Sequence, residues 1–315
     1  MKKWSVVLVI VLLTISLFLI FWDSNPNNPV DQIIPENTQT ENTQTFAIIY
    51  PVAHPFFEKI TETAQKEAHR IGINVRIDAP KIASAEDQAA LLQKYIEQGV
   101  DGIAIGPTDP EMITPLIDQA IDQGIPVVCF DTDAPSSKRY TYIGTDNYLA
   151  GLHIGETIAK LLDYEGAIIV SSGLSTMENL KLRMEGLQTV VESYPKLTIE
   201  TIEYSDGTAP STLDNIETMV ENHPSFDGFV GIDSLAGPAA ITVWKAHGLD
   251  KTAVTFDDLP LIKEGLVNGQ LTSIISQNQE KWGNLIIEKL FALSKGEQVN
   301  QTNYTETVEI NNLDD

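Results

Sequence analysis

The sequence predicts an α/β protein with two doubly wound lobes of parallel sheet, and three observations carry that prediction. Short apolar runs alternate with amphipathic stretches from Phe46 onwards, and near-continuous apolar strands are typical of parallel sheets covered by helices on both faces. The alternation pauses around residues 142–147 and then resumes, so the first link between the lobes is expected there. The length of 315 residues suits two compact domains.

The first half of the folded part contains four predicted strands with three helices between them. Strands are expected at 46–50, 73–77, 102–106 and 126–130. Asp109 offers an N-cap in front of Pro110, a favoured first helical residue. Gly72, Gly99 and Gly124 stand where the three helices should end, because glycine readily adopts the left-handed backbone that closes a helix.

The second half repeats the pattern with five further strands and five helices. Strands are expected at 167–170, 198–203, 228–231, 253–256 and 271–276. Helices are expected at 149–162, 177–193, 213–222, 239–246 and 281–293. One modest domain would not hold so many strands, which favours two similar lobes.

The N-terminal 22 residues have the pattern of a membrane helix. Lys2 and Lys3 precede an uncharged run over 4–22, whose nineteen residues would span the hydrocarbon core of a bilayer as a helix. The lysines favour a cytoplasmic N-terminus, so everything after Asp23 is expected outside the cell. The run exceeds the core of a secretory signal and ends without a small-residue cleavage site. We therefore expect an uncleaved anchor over 1–22, with secretion after cleavage as the alternative.

Residues 23–45 have a different composition from both neighbouring segments. Asn, Thr, Gln, Pro and Glu dominate this stretch, and few of its side chains could be buried in a core. The composition predicts a disordered tether that holds the folded part away from the membrane.

Charge and cysteine content exclude several classes of partner and site. The formal net charge is −24, and so acidic a surface repels nucleic-acid phosphates and anionic lipid headgroups. No nucleic acid is therefore expected as a partner. Cys129 is the single cysteine, which excludes an intrachain disulfide or a cysteine-based metal cage.

The sequence lacks the common motifs of enzymes. It contains no G-x-S-x-G elbow, no phosphate-binding G-x-x-x-x-G-K-[ST], no G-x-G-x-x-G and no H-E-x-x-H. His153 and Glu156 are three residues apart, but on a helix this spacing more often marks a solvated polar face than a metal site. We expect a protein that is not an enzyme and needs neither a cofactor nor a metal ion.

Aromatic, acidic and amide side chains follow the predicted strand ends, where open α/β sheets bind ligands. This set is His54, Phe56, Phe57, Asp131, Asn147, Asp233, Asp257 and Gln277. Aromatic rings pack against the C–H faces of sugars, and carboxylates and amides hydrogen-bond vicinal hydroxyls. Each residue also has a structural alternative: the phenylalanines as core, the aspartates as helix caps, and the two amides as partners of hinge backbone.

In their order and spacing, several short motifs resemble the type I periplasmic sugar-binding proteins, the ribose-binding group in particular. The motifs are His54-Pro55-Phe56-Phe57, Gly106-Pro107-Thr108-Asp109, Ile125 to Asp131, Ile143 to Asn147, Arg183-Met184-Glu185-Gly186 and Thr255-Phe256-Asp257. The resemblance covers about 46–308. It implies two lobes joined by three hinge crossings, near Thr145, 277–278 and the 300s. The lobes would then be 46–144 with 279–301, and 145–278 with 302–315.

The resemblance also implies which side chains contact the sugar. They are Phe56, Phe57, Asp131, Asn147, Asp257 and Gln277, with a cationic contact from Lys181 or Arg183. Three positions depart from the pattern: His54 replaces an asparagine, Thr132 replaces an arginine, and Ile232 replaces a polar residue before Asp233. Losing the guanidinium at Thr132 puts ribose itself in doubt, while a small polyol or sugar remains expected.

These inferences combine into an expected function. The protein would be an extracellular, membrane-tethered receptor that closes its lobes around a pentose or hexose and serves an ABC-type sugar importer. The alternative is an accessory protein that presents its liganded state to a membrane histidine kinase. A sugar-responsive repressor would need an N-terminal DNA-binding domain, where this chain has an apolar segment.

Overall fold

The computed structural model describes residues 43–311, and these fold into two six-stranded sheets flanked by helices. The strands are β1 (Thr45–Ile49), β2 (Asn74–Asp78), β3 (Gly102–Ile105), β4 (Val127–Phe130), β5 (Thr141–Thr145), β6 (Gly166–Ser172), β7 (Leu197–Tyr204), β8 (Gly228–Gly231), β9 (Thr252–Phe256), β10 (Ser273–Ser276), β11 (Thr302–Thr305) and β12 (Val308–Asn311). The helices are α1 (Glu58–Ile71), α2 (Ala85–Gln98), α3 (Pro110–Asp122), α4 (Asn147–Leu161), α5 (Glu178–Ser193), α6 (Ala209–Asn222), α7 (Ala236–His247), α8 (Pro260–Val267) and α9 (Trp282–Ser294). The expected pair of α/β lobes is therefore present.

The first sheet has the strand order β11-β5-β4-β3-β1-β2 and is parallel throughout. The second has the order β12-β10-β9-β8-β6-β7 and is parallel except for its edge strand β12, which runs antiparallel to β10. The prediction of parallel sheets therefore needs one correction. Two residues separate β12 from β11 in the other sheet, so no crossover helix precedes it, as a parallel strand would ordinarily require.

Within the described residues the chain crosses between the sheets three times. The crossings follow β5, β10 and β11, so the third lies at 306–307. The sequence-based boundary, which assigned 302–315 to the second lobe, is wrong for 302–305. Thr302 pairs with Tyr142 and Thr305 with Thr145, which places β11 at the edge of the first sheet.

The crossing segments are hydrogen-bonded to one another. The Thr145 hydroxyl donates to the Gln277 side-chain carbonyl at 3.0 Å, and the Thr305 hydroxyl donates to the Gln277 backbone carbonyl at 3.1 Å. Asn278 has a left-handed φ of 54°, and its amide donates to the Glu306 carbonyl at 2.8 Å. The Gln277 side chain therefore contacts the Thr145 hydroxyl at the crossings, and it is the neighbouring Asn278 that donates to hinge backbone.

Both faces of each sheet are buried, which explains the near-continuous apolar strands. In β1, Phe46 and Ile48 pack on one face with α1 and α9, while Ala47 and Ile49 pack on the other with α2 and α3. The second lobe repeats this with two further clusters on either side of its sheet. Each large side chain that is fully buried contributes about 1.5–3 kcal/mol of transfer free energy.

Local signals in the sequence fix most helix ends. Asp109 caps α3 by accepting from the backbone N–H groups of Glu111 and Met112, and Gly72 and Gly99 close α1 and α2 with positive φ. Sequence analysis missed α8, whose eight residues are too few for a clear apolar period.

The close packing of α4 on α5 depends on glycine. A Cβ at Gly151 would overlap the backbone carbonyl of Arg183, and one at Gly186 would overlap the carbonyl of Tyr148. The backbones of the two helices are therefore in direct contact, and this contact fixes the position of the Arg183 Cα atom.

The predicted membrane segment over 1–22 lies outside the described residues, as does the tether up to residue 42. The end of the predicted tether belongs to the fold, since Thr45 begins β1 and the Gln44 carbonyl accepts from the Asn74 N–H at 2.9 Å. Across 43–311, every helix is too short or too polar to cross a bilayer.

Candidate functional site

The carboxyl ends of the strands in both sheets face one cavity of about 340 Å³ between the lobes. This volume lies in the range of small-molecule sites. The first lobe supplies residues after β1, after β2 and after β4. The second lobe supplies residues after β6, β7, β8, β9 and β10, together with the first turns of α5.

Eight of the eleven side chains predicted from sequence line this cavity. They are His54, Phe56, Phe57, Asp131, Arg183, Asp233, Asp257 and Gln277. The other three, Thr132, Asn147 and Lys181, are not part of the cavity lining.

Arg183 is the buried cation of the cavity, with 2% of its surface exposed. Its Nε donates to the side-chain oxygen of Asn147 at 2.9 Å, Nη1 to the Ile232 carbonyl at 3.1 Å and Nη2 to the side-chain oxygen of Gln277 at 2.5 Å. The guanidinium also lies 4.3 Å from the ring centroid of Phe256. Its position is therefore fixed by four neutral groups before any ligand binds.

Asn147 does not line the cavity, but it accepts a hydrogen bond from Arg183 and so helps to position that side chain. Its amide nitrogen donates to the Tyr142 hydroxyl at 3.0 Å and to the Thr145 carbonyl at 3.2 Å, while its oxygen accepts from Arg183. Its amide nitrogen thus donates to groups at the first crossing, as the hinge-backbone prediction for Asn147 has it, while its oxygen joins that crossing to Arg183 on α5.

Thr132 and Lys181 are held away from the cavity for different reasons. Thr132 is fully buried beneath the strand end, where its N–H donates to the Phe130 carbonyl at 2.7 Å. Lys181 is on the outer face of α5, about half exposed, and pairs with Glu178 at 3.4 Å. Arg183 and not Lys181 therefore supplies the cation at the cavity wall.

Asp131 and Asp257 occupy equivalent places in the two lobes. Each follows a central strand and has a left-handed backbone, with φ of 64° and 71°, which aspartate tolerates better than most residues. Burial raises the pKa of Asp131 to about 6 and that of Asp257 to about 7, although the positive charge of Arg183 acts against both shifts. The Gln277 amide donates to Asp257 Oδ1 at 2.7 Å.

Asp233 both lines the cavity and caps a helix. Its Oδ1 accepts from the Ala236 N–H at 2.9 Å, at the start of α7. Burial raises its pKa to about 6, against the effect of the backbone N–H groups of Ala236 and Leu235. The two interpretations of this residue as ligand contact and as helix cap are compatible.

The aromatic residues after β1 form one wall of the cavity. Phe57 stacks on Tyr50 with ring centroids 4.5 Å apart, and Phe56 meets Trp282 edge-on at 5.8 Å. Both rings are thus part of the core and also reach the cavity. His54 accepts from the Phe56 N–H through Nδ1 at 3.2 Å, and burial lowers its pKa, which keeps the imidazole neutral near pH 7.

Sequence analysis missed Asn179 and the apolar mouth. Asn179 is buried in the first turn of α5 and lines the cavity, where its side chain lowers the pKa of Asp131 against the effect of burial. It lies four residues before Arg183, so helical spacing places both on one face and could have identified it. The mouth is lined by aliphatic side chains, namely Val52, Ile82, Leu174, Met177, Leu180 and Leu235.

The two lobes touch across this mouth. The Thr176 hydroxyl of the second lobe donates to the Thr108 carbonyl of the first at 2.9 Å. A Cβ built on Gly207 would lie 3.0 Å from that of Ala83. The conformation is therefore a closed one, with the polar residues enclosed.

Comparison with known proteins agrees with this architecture. A family model described as a periplasmic binding protein domain matches residues 46–298. The ribose import binding protein RbsB of Bacillus subtilis (strain 168) is 26% identical over 294 residues, which cover 93% of this chain and 94% of that protein.

Solved structures share the fold. An ABC transporter solute-binding protein from Burkholderia graminis C4D1M, in complex with D-arabinose, is 28% identical, with a TM-score of 0.82 over 85% of this chain and 95% of that one. A chain of the XylFII-LytSN complex is 24% identical, with a TM-score of 0.82 over 86% of this chain and 99% of that one. Through the match over most of its length and its two-lobed fold, the chain belongs to the periplasmic binding protein family, among the type I sugar-binding proteins.

Proposed function

We propose that the protein is an extracellular receptor, tethered to the cell membrane by residues 1–22, that binds a monosaccharide by lobe closure and serves an ABC-type sugar importer. The observation that carries this proposal is the enclosed cavity, where two aromatic rings face carboxyl, amide and guanidinium groups. The named relatives support it, since RbsB is a ribose import binding protein and the Burkholderia protein was solved with D-arabinose.

The cavity suits a sugar because it offers both kinds of contact that a sugar ring needs. Phe56 and Phe57 present apolar surface to C–H groups. The carboxyls accept from hydroxyls, while Arg183 and Asn179 donate to ring or hydroxyl oxygens. An enclosed polar group left without a partner costs about 1–3 kcal/mol, so the cavity discriminates against ligands that lack hydroxyls. None of these side chains is paired with a base as a nucleophile would be.

Closure would follow from the hinge. A ligand that touches Asp131 of the first lobe and Asp257 of the second gains both sets of contacts only when the lobes are together. Its binding free energy therefore shifts the population towards the closed form, in which Thr176 and Thr108 meet.

Titration calorimetry with a panel of pentoses and hexoses tests the proposal. With the full chain in detergent, we expect at least one of ribose, arabinose, xylose, glucose and galactose, or of their amino derivatives, to bind with a Kd of about 1 μM or tighter (about −8 kcal/mol). The same sugar should raise the melting temperature, because it binds the folded state alone. Absence of both heat and a thermal shift across the whole panel would contradict the proposal.

A second candidate function is sensing, in which the liganded receptor contacts a membrane histidine kinase. The sequence favours it in one respect: the apolar segment has no cysteine after it for a lipid anchor, so a protein helix would hold the receptor. A protein of the same fold has been solved in the XylFII-LytSN complex, so this fold can join a second protein.

Crosslinking in membranes of sugar-grown cells distinguishes the two candidates. If the importer role is correct, we expect a permease with its ATPase to be captured by the full chain in a sugar-dependent manner. Capture of a histidine kinase without a permease would favour sensing instead, and a chain that lacks 1–22 serves as the control for anchoring.

A further inference from the structure

The charges that line the cavity do not balance. Three carboxyls, those of Asp131, Asp233 and Asp257, share the buried part with one guanidinium, that of Arg183. Lys81 also lies on the wall, but at the mouth, where it is exposed to solvent. With all three carboxyls ionised, the buried part of the cavity carries an excess of two negative charges.

The hydrogen bonds of Arg183 do not pair it with any of the three carboxyls. Arg183 directs its three hydrogen bonds to neutral acceptors, on Asn147, Ile232 and Gln277. Across the described residues 43–311, none of the ion pairs within 4.0 Å includes a cavity carboxyl. Asp233 and Asp257 thus accept hydrogen bonds from neutral groups, and among the described residues no cavity carboxyl has a salt-bridge partner.

Each carboxyl also keeps acceptor capacity towards the cavity. Asp131 is 5% exposed and shares the cavity wall with Asn179, while Asp257 is 2% exposed and accepts from the Gln277 amide at Oδ1. A carboxylate has about four acceptor positions, so most of them remain for a ligand. Buried charges of this kind are costly until a cation or several donors compensate them.

We infer that the cleft selects a sugar that carries a protonated amino group over the same sugar with a hydroxyl in that position. This inference rests on the proposed function and narrows its ligand class. An ammonium group supplies up to three N–H donors together with the missing positive charge, and hydrogen bonds between ionised partners are about twice as strong as neutral ones. A neutral sugar supplies donors but no positive charge, so the buried carboxyls remain ionised in its presence only at the cost of their desolvation.

Asp233 is held by the backbone of α7. Its Oδ1 accepts from the Ala236 N–H at 2.9 Å, whereas Asp257 accepts from the side chain of Gln277 at 2.7 Å. Because its donor belongs to the backbone behind the cavity wall, Asp233 keeps acceptor positions for a ligand. We therefore place the ammonium group at the Asp233 side of the cavity.

Calorimetry with matched pairs tests this inference. The pairs are glucosamine with glucose, galactosamine with galactose and mannosamine with mannose, each titrated into the full chain in detergent at pH 7. For at least one pair, we expect the amino sugar to bind ten-fold tighter or more than its neutral counterpart. The N-acetyl form of that sugar keeps the bulk and loses the charge, and it should lose the preference.

Substitution of Asp233 by asparagine tests the location of the charge. Asparagine caps a helix as well as aspartate, so Asp233→Asn retains the start of α7. We expect the ratio of amino-sugar to neutral-sugar affinity to fall by about ten-fold (1.4 kcal/mol). Asp214→Asn, at an exposed position of α6 that does not line the cavity, makes the same chemical change and should leave that ratio unchanged.

The outcomes separate this inference from the proposed function. Neutral sugars that bind as tightly as their amino counterparts in every pair would overturn the amino-sugar inference and leave a sugar receptor. An unchanged affinity ratio in Asp233→Asn would overturn it as well. If no member of any pair, and no sugar of the earlier panel, binds, the proposed function fails.

Discussion

Substitution of Arg183 by methionine is expected to weaken binding of the preferred sugar at least about 100-fold, or about 2.7 kcal/mol. Arg183 is buried and holds the side chains of Asn147 and Gln277 and the carbonyl of Ile232. Methionine fills much of the same space but leaves these acceptors without a donor. Loss of one partner from a buried, hydrogen-bonded charge network costs about 2–5 kcal/mol.

Lys181→Met is the matched control, because it removes the same charge from the same helix two residues away. Lys181 is at the surface and pairs with Glu178, so its loss should change neither affinity nor stability by more than about 0.5 kcal/mol. Calorimetry gives the affinity of each variant, and circular dichroism during denaturation shows whether each is folded. A folded Arg183→Met variant that binds within three-fold of the parent would contradict the assignment of Arg183 to the site.

The second large effect is a loss of stability in the ligand-free protein as the pH rises from 5 to 7.5. The pKa of Asp257 is raised by burial to about 7, while the unfolded carboxyl releases its proton near pH 4. Between these values the folded state binds more protons than the unfolded state, so the free energy of unfolding falls as pH rises. The full shift of about three pKa units corresponds to about 4 kcal/mol, of which about 2.5 kcal/mol is lost between pH 5 and pH 7.5.

Urea denaturation at pH 5 and at pH 7.5, for the parent and for Asp257→Asn, measures this effect. The comparison of the two proteins is needed because other groups titrate in the same range. Burial raises the pKa values of Asp131 and Asp233, which act in the same direction as Asp257, and lowers those of His54 and His153, which act in the opposite direction. We expect the parent to lose about 2–3 kcal/mol more than the variant between the two pH values. An equal loss in both would show that Asp257 is already ionised in the folded state at pH 5.

Asp258→Asn provides a second control from the adjacent position. Asp258 pairs with Lys263, and its hydrogen bonds to this lysine lower its pKa despite partial burial. A lowered carboxyl pKa contributes stability that is lost as pH falls below 4, outside the measured range. The difference between pH 5 and pH 7.5 should therefore be the same in Asp258→Asn as in the parent.

The sequence predicts the fold well because most strands are buried on both faces. An apolar run such as 126–130 is bounded by a glycine-closed helix on one side and by Asp131 on the other, so its place in a central sheet is clear. Residues 302–305 give no such signal. They form a short edge strand with two exposed residues, and nothing local says which lobe it joins.

The candidate site was predicted where a residue directly follows a central strand, as Asp131, Asp233 and Asp257 do. The sequence indicates site residues less clearly on helices and at the hinge crossings. Lys181 and Arg183 are about 200° apart around α5, and the packing of that helix on Gly151 decides which one faces the cavity. Asn147 follows a strand as well, but its side chain turns towards the Tyr142 hydroxyl, which no local pattern indicates.

Gln277 has a double position, since it touches Asp257 and Arg183 in the cavity and also Thr145 and Thr305 at the crossings. A substitution of Gln277 would therefore change the hinge crossings and the cavity lining at the same time. Divergence towards a new sugar is therefore easier at positions that serve the cavity without joining the crossings, such as Asn179 and Asp233. Substitutions at those positions would change which ligand the cavity accepts and leave the contacts of Gln277 at the hinge crossings as they are.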